Sequence, residues 1–169
     1  MGAAERRENG LELDGRLVKP GELTVSPESG LLVAVVSFGI AVCIWSHPAQ
    51  CGGLAHFTDP KTIDAKRATA RYGNASLPLL IRLMRELAPQ QGLEAQIFGG
   101  AHPPQGSASL KARAQANIRM ARKILDTRHI PIVSEDLGGS KGRKVVFDTR
   151  VGHVAVVRVH QLRKGDWNS

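Results

Sequence analysis

The stretch Leu31–Trp45, LLVAVVSFGIAVCIW, decides the fold, because it is apolar almost throughout and rich in valine and isoleucine. A helix that spans a membrane needs about 20 apolar residues, so this stretch is too short for one. Its β-branched composition favours strands, and Gly39 near its middle marks a break. We therefore predict two strands, residues 31–36 and 39–45, which are buried on both faces of a sheet.

The flanking sequence supplies the rest of an α/β domain. Period-two patterns and turn residues predict further strands at 21–26, 52–57, 93–100 and 130–136, and a hairpin over 143–159 that turns at Thr149 to Gly152. Amphipathic periodicity predicts one helix from a cap at Ser76 to near Pro89, and a second over 108–127 that carries Asn117 on its apolar stripe. The sum is two helices packed on a mixed sheet.

Length and composition indicate one domain. The chain has 169 residues, 42% of them hydrophobic, which is enough for a single core. We assign the domain to residues 17–162, between a flexible N-terminal tail (1–16) and a C-terminal tail (163–169). The N-terminus lacks the apolar segment of a signal peptide, and two cysteines cannot form a disulfide framework. We therefore expect a cytoplasmic protein that does not insert into membranes.

The net charge of +8 raises the question of nucleic-acid binding. Only 4% of the residues are aromatic, so stacking platforms for bases are scarce, and the basic residues are spread over several segments. A generally basic surface that meets an acidic protein partner is the better interpretation.

Two segments could carry chemistry. His56 ends a predicted strand in GGLAHF and is either a general base or a buried histidine bonded to a backbone carbonyl. Phe98, Gly99 and Gly100 form a strand-to-loop junction that could supply backbone donors to a substrate, although ordinary turn glycines explain the same pattern. No histidine or cysteine spacing is typical of a metal site.

Seven segments in unbroken order, over about residues 17 to 160, resemble the CheD family of chemoreceptor glutamine deamidases. They are VKPGELTVS, FGIAVCIWSHP, GGLAHFTDP, RYGNASLPLL, IFGGAH, AQANIRMARKIL and IPIVSEDLGGSKGRKVVFDTRVGHVAVVRV. The resemblance implies a single three-layer α/β/α domain with a mixed sheet. It also implies hydrolysis of glutamine side chains on methyl-accepting chemoreceptors, binding of the phosphatase CheC by some members, and no metal or organic cofactor.

The family's catalytic set is a cysteine, a histidine and a threonine. A thiolate attacks the amide carbon, and the histidine takes the thiol proton and returns it to the departing ammonia. The resemblance places the histidine at His56 and the nucleophile at Gly39. It places the threonine at Val33 or, with one residue of slack, at Ala34. Two of the three catalytic groups are therefore replaced in this chain.

Other nucleophiles are poorly placed for the position of Gly39. At ~3.3 Å per residue, Cys43 lies about 13 Å along the strand and Ser37 about 7 Å. Cys51 would need its turn to fold back towards His56. Two functions remain open at this point: a deamidase of chemoreceptor glutamines, or a catalytically inactive relative that binds chemoreceptors or CheC. A basic nucleic-acid-binding protein is a remote third alternative.

Overall fold

The computed structural model describes residues 15–28, 30–89 and 92–159. Within them the strands are β1 (Gly15–Leu17), β2 (Glu22–Ser26), β3 (Leu31–Val36), β4 (Ile40–Ser46), β5 (Cys51–Phe57), β6 (Leu93–Gly99), β7 (Ile132–Leu137), β8 (Gly142–Asp148) and β9 (His153–Val159). The helices are α1 (Gly73–Leu87) and α2 (Ala108–Thr127), with a short 3-10 helix at Ala65–Arg67. Gly15 and Arg16, assigned to the tail from the sequence, belong to β1. The rest of both predicted tails, together with residues 160–162 at the predicted end of the domain, lies outside the described residues.

The described strands form two sheets. One has five strands in the order β2-β5-β4-β6-β7, and the other has four in the order β1-β3-β8-β9. Both sheets are mixed, because β6 and β7 pair in parallel in the first and β1 and β3 do so in the second, while the other pairs are antiparallel. The predicted α/β class and mixed sheet are confirmed.

The layers are α/β/β in the described residues, which differs from the α/β/α order that the resemblance implied. Both helices pack on one face of the five-stranded sheet, against Ile40, Val42 and Ile44 of β4. The alternate residues of β4 face the four-stranded sheet and form a second core with it. The order differs because β3 pairs with β8 instead of joining the sheet of β4, so the hairpin β8–β9 covers the face that helices would cover.

The Gly-Gly pair of β5 is explained by close packing on both faces. A Cβ atom at Gly52 would lie 2.7 Å from the Phe147 ring in the four-stranded sheet. A Cβ atom at Gly53 would lie 2.8 Å from Leu80 Cδ1 in α1. These two glycines let the layers approach β5 and leave no space there for a substrate.

Helix α1 begins at Gly73, so the prediction of Ser76 as its cap is wrong. The first N–H groups of the helix are satisfied by backbone carbonyls: Gly73 N–H donates to Asp59 and Asn74 N–H donates to Pro60. A side-chain cap is therefore not needed. Ser76 is buried one turn further on, inside the helix.

Side chains of the five-stranded sheet hold the β8–β9 turn, which lies at Thr149 to Gly152 as predicted. Trp45 Nε1 donates to the Thr149 carbonyl at 3.0 Å, and the Gln96 side chain donates to the Gly152 carbonyl at 2.8 Å. These bonds fix the two sheets against each other.

Candidate functional site

Gly39 lies in the bend that carries the chain from β3 in one sheet to β4 in the other. The end of β6 packs against this bend: Gly100 N–H donates to the Gly39 carbonyl at 2.9 Å, and Ala101 N–H donates to the Ser37 carbonyl at 2.8 Å. Thr58, which directly follows β5, lies on the other side of Gly39. Three strand junctions therefore meet at one edge of the five-stranded sheet.

The position of Gly39 has no room for a side chain. A Cβ atom built on Gly39 would lie 2.6 Å from the Phe57 carbonyl oxygen and 3.4 Å from Thr58 Cα. Both of these are backbone atoms, so a Cβ would require the junction after β5 to move. The glycine therefore fits this site because of close backbone packing.

His56 is fully buried in β5, on the face that packs against the four-stranded sheet. Its Nδ1 lies 3.3 Å from the Val18 carbonyl oxygen. Because a carbonyl only accepts hydrogen bonds, Nδ1 carries the proton and Nε2 is the basic atom. Nε2 is buried and has no hydrogen-bond partner among the described residues.

The environment keeps the His56 imidazole neutral. Burial lowers its pKa from the usual 6.5 to about 4, although the Val18 carbonyl and the charge of Glu22 act in the opposite direction. The segment between β1 and β2 covers the histidine, since Gly21 N–H also donates to the His56 carbonyl at 2.8 Å. Of the two interpretations of His56 from sequence, the geometry matches a buried histidine bonded to a carbonyl.

The position assigned to the family threonine is apolar in either alignment. Leu32, Ala34 and Val36 of β3 belong to the core between the sheets, the layer that also holds His56. By strand alternation Val33 faces the other side of the four-stranded sheet. Ala34 is therefore the better placed of the two candidates, and its methyl group cannot orient an imidazole.

The junction Phe98–Gly100 lies beside Gly39. Phe98 is buried between the sheets, and Gly99 and Gly100 have φ of +120° and +67°. The Gly100 N–H is already bonded to the Gly39 carbonyl. A role of these residues in substrate binding stays a prediction.

Neither cysteine is a substitute nucleophile in this arrangement. Cys43 is buried between the sheets, and burial raises the pKa of its thiol far above the usual range. Cys51, placed in a turn from the sequence, is a buried residue at the start of β5. It packs in the helix-side core, on the opposite face of β5 from His56, and burial raises its pKa as well.

Asn117 of α2 links the two junctions that flank Gly39. Its side-chain NH₂ donates to the Phe38 carbonyl at 3.1 Å and to the Thr58 carbonyl at 2.9 Å. Sequence reasoning identified Asn117 as a polar residue on an apolar stripe that must find partners. The contacts with Phe38 and Thr58 are long-range, so the sequence alone could not assign them.

An open cleft of about 570 Å³ lies next to the closed position of Gly39; we call it the arginine cleft. Its walls include Gly21, Phe38, Thr58, Arg71, Leu110 and Arg113. A second cleft of equal volume runs along α1 and Arg128, away from these residues. Sequence reasoning missed the arginine cleft, because the two arginines are 42 positions apart and nothing local pairs them.

Asp59 lies between the two arginines. The Arg71 side chain donates to its Oδ2, and Arg113 forms an ion pair with its Oδ1. Burial raises the pKa of Asp59, but the hydrogen bonds from Arg113 and Arg71 outweigh burial and hold the pKa below its usual range. Arg113 also donates to the Thr58 carbonyl and lies 4.9 Å from the centre of the Phe38 ring.

Residues 15–28, 30–89 and 92–159 contain no group of three or more His, Cys, Asp or Glu side chains that could hold a metal ion. None of their helices has the length and hydropathy needed to cross a membrane.

Comparison with known proteins identifies the family. The family model described as CheD chemotactic sensory transduction matches residues 58–158, which is more than half of the chain. This chain belongs to the CheD family. Gly39 and His56 precede the matched residues, so the part of the chain that departs from the family's catalytic set is outside the match.

Curated relatives of the CheD family match most of this chain. A probable chemoreceptor glutamine deamidase CheD 1 of Anaeromyxobacter dehalogenans is 31% identical over 75% of this chain and 74% of its own length. Probable chemoreceptor glutamine deamidases CheD of Laribacter hongkongensis and Sulfurimonas denitrificans are 32% and 29% identical. They cover 92% and 89% of this chain, and 77% and 98% of their own lengths.

Proposed function

We propose that this CheD-family protein acts in chemotaxis by binding chemoreceptors, and that it does not deamidate them. Its relatives are named as probable chemoreceptor glutamine deamidases, which supports chemoreceptors as its partners. The main observation in support of the proposed inactivity is Gly39, where a Cβ atom would lie 2.6 Å from the Phe57 carbonyl oxygen.

Amide hydrolysis of this type needs a nucleophile within hydrogen-bond reach of its base. Gly39 supplies no nucleophile, and the free lone pair of His56 lies in a core that is closed to solvent. In a serine hydrolase, loss of the nucleophile alone lowers the rate by about 10⁶-fold. Here the candidate base, His56, is also inaccessible to substrate, which supports the proposal that this protein does not catalyse the reaction.

Binding does not depend on the lost groups. The arginine cleft is open beside Gly39, and Asn117 holds its wall residues Phe38 and Thr58 in place. A protein of this kind can occupy a receptor and compete with an active deamidase. We propose that it does so in the cytoplasm; competition for CheC is a second, separate expectation from the family.

A binding assay tests the proposal. The full chain is titrated into the purified cytoplasmic fragment of a chemoreceptor from the same organism, and binding is followed by isothermal titration calorimetry. We expect saturable binding, and we expect the intact mass of the recovered fragment to stay unchanged after prolonged incubation.

Two results would overturn it. Absence of binding to every receptor fragment of the organism removes the proposed partner. A gain of about 1 Da per glutamine, the mass change from amide to acid, that disappears with His56→Ala removes the proposed inactivity. The Anaeromyxobacter dehalogenans relative, which is named as a probable chemoreceptor glutamine deamidase, provides the positive control for the mass change.

A further inference from the structure

The arginine cleft holds two guanidinium groups against one carboxylate. Arg71 and Arg113 both pair with Asp59, whose side chain is 17% exposed. The side chains of Arg71 and Arg113 are 56% and 33% exposed, so both reach the open side of the cleft. Two positive charges and one negative charge leave an excess of positive charge at a surface that solvent and a ligand can reach.

Both guanidinium groups keep donors for a ligand. Arg71 uses its Nε–H on Asp59. Arg113 uses one terminal nitrogen on Asp59 and its Nε–H on the Thr58 carbonyl. A guanidinium carries five N–H groups, so each arginine has further N–H groups beyond those bonded to Asp59 and Thr58.

The position of Arg113 is set before any ligand binds. Its guanidinium lies over the Phe38 ring at 4.9 Å, and the Thr58 carbonyl fixes its Nε. Phe38 and Thr58 are in turn held by the buried Asn117. A group fixed in this way loses little freedom when it binds a ligand, which favours affinity.

We propose that the arginine cleft binds a carboxylate side chain, so that the protein recognises glutamate in preference to glutamine on its receptor. This inference rests on the proposed function. A carboxylate accepts two parallel N–H bonds from a guanidinium, whereas a neutral amide presents one acceptor oxygen and an NH₂ group that also donates. An excess positive charge beside the Gly39 position suits retention of an acid, which is the product of amide hydrolysis. The cleft therefore distinguishes a deamidated receptor, which carries glutamate, from an unmodified one, which carries glutamine.

The test compares two receptor fragments that differ only in glutamine or glutamate at the modified positions. Because charge-assisted hydrogen bonds are strong, we expect the glutamate fragment to bind about tenfold more tightly in low salt. Arg113→Gln should abolish the preference. Arg119→Gln, which alters an exposed arginine of the same helix outside the cleft walls, should retain it.

Asp59→Asn is a second test, in which the affinity for the glutamate fragment should rise instead of fall. This substitution removes the carboxylate that already occupies the two arginines, so we expect the glutamate fragment to bind more tightly than it binds the unaltered protein. If the arginines serve only to anchor Asp59, Asp59→Asn instead leaves the preference unchanged or weakens binding to both fragments equally. Thermal unfolding of each variant identifies any that fails to fold.

Equal affinity for the two fragments would overturn the carboxylate site while leaving receptor binding intact. Failure of both fragments to bind would overturn the proposed function instead. The carboxylate site is then decided by NMR titration of the protein with N-acetylglutamate and N-acetylglutamine. Larger shifts of the Arg113 Nε–H signal with the acid support the site, and equal shifts contradict it.

Discussion

Two neighbouring regions of this protein have opposite character. The region of the family's catalytic groups, around Gly39 and His56, is closed by backbone packing and by the core between the sheets. The arginine cleft beside it is open and carries charged, partly exposed side chains. The position that the family resemblance assigns to the nucleophile is closed by packing, whereas the adjoining cleft is open. Residues of the closed region should therefore control stability, and residues of the cleft should control binding.

Asn117 should give the largest effect, because it joins the closed region to α2. Asn117→Ala leaves the buried Phe38 and Thr58 carbonyls without the NH₂ donor and removes packing, so we expect a loss of about 3 kcal/mol in the free energy of unfolding. Chemical denaturation measures the loss. Gln115→Ala, at an exposed position of the same helix, should change the free energy by no more than about 0.5 kcal/mol. Equal effects of the two substitutions would contradict the role of Asn117.

His56 should make stability depend on pH. Its pKa is about 4 in the folded protein and near 6.5 in the unfolded chain, so the unfolded chain binds the proton more readily. The full contribution is present above pH 6.5 and is lost as the pH falls towards 4, by about 3 kcal/mol in total.

The control for this pH dependence is His56→Gln, which does not titrate and can still donate to the Val18 carbonyl. Denaturation of both proteins between pH 4 and 7 isolates the contribution of His56. We expect the unaltered protein to lose stability more steeply than the variant across this range. Parallel curves would show that the imidazole is not shielded from solvent.

Gly39 tests the closure of the nucleophile position itself. A Cβ atom there meets backbone, so Gly39→Ala should cost about 1–3 kcal/mol, the range of overpacked cores. Gly30→Ala is the control, since the nearest heavy atom to a Cβ there is 3.7 Å away. Gly39→Cys should be destabilised similarly and should gain no deamidase activity. A stable Gly39→Cys variant that deamidates receptor fragments would show that only the thiol was missing.

Arg113 should give the smallest effect on stability, although it carries the proposed carboxylate site. Partly exposed ion pairs contribute about 0–1 kcal/mol, so Arg113→Gln should cost less than about 1 kcal/mol by chemical denaturation. A loss as large as that of Asn117→Ala would place Arg113 in the framework of the fold and weaken the contrast between the two regions.

Most of the fold could be predicted from local sequence patterns. The apolar run that contains Gly39 gave two buried strands because period and composition are local signals, and α2 was predicted at its observed bounds for the same reason. The partition of the strands into two sheets depends on long-range pairing, such as β3 with β8, which no local pattern encodes. The start of α1 was missed because its first N–H groups bond to carbonyls of the preceding loop.

The candidate site, like the fold, could be predicted from the sequence only in part. His56 and Gly39 could be singled out from the sequence by the family resemblance. Their burial could not, because it results from the Val18 carbonyl and the Phe57 carbonyl approaching from other elements. The arginine cleft could not be predicted from the sequence for the same reason, since Arg71, Arg113 and Asp59 meet only in the folded chain.

An NMR titration of the His56 imidazole, assigned by comparison with His56→Gln, measures directly whether this buried histidine is shielded from solvent. The closed site predicts a midpoint near pH 4 in the folded protein. A midpoint near 6.5, the usual value for a solvated histidine, would contradict the burial of His56 and would make it available as a general base.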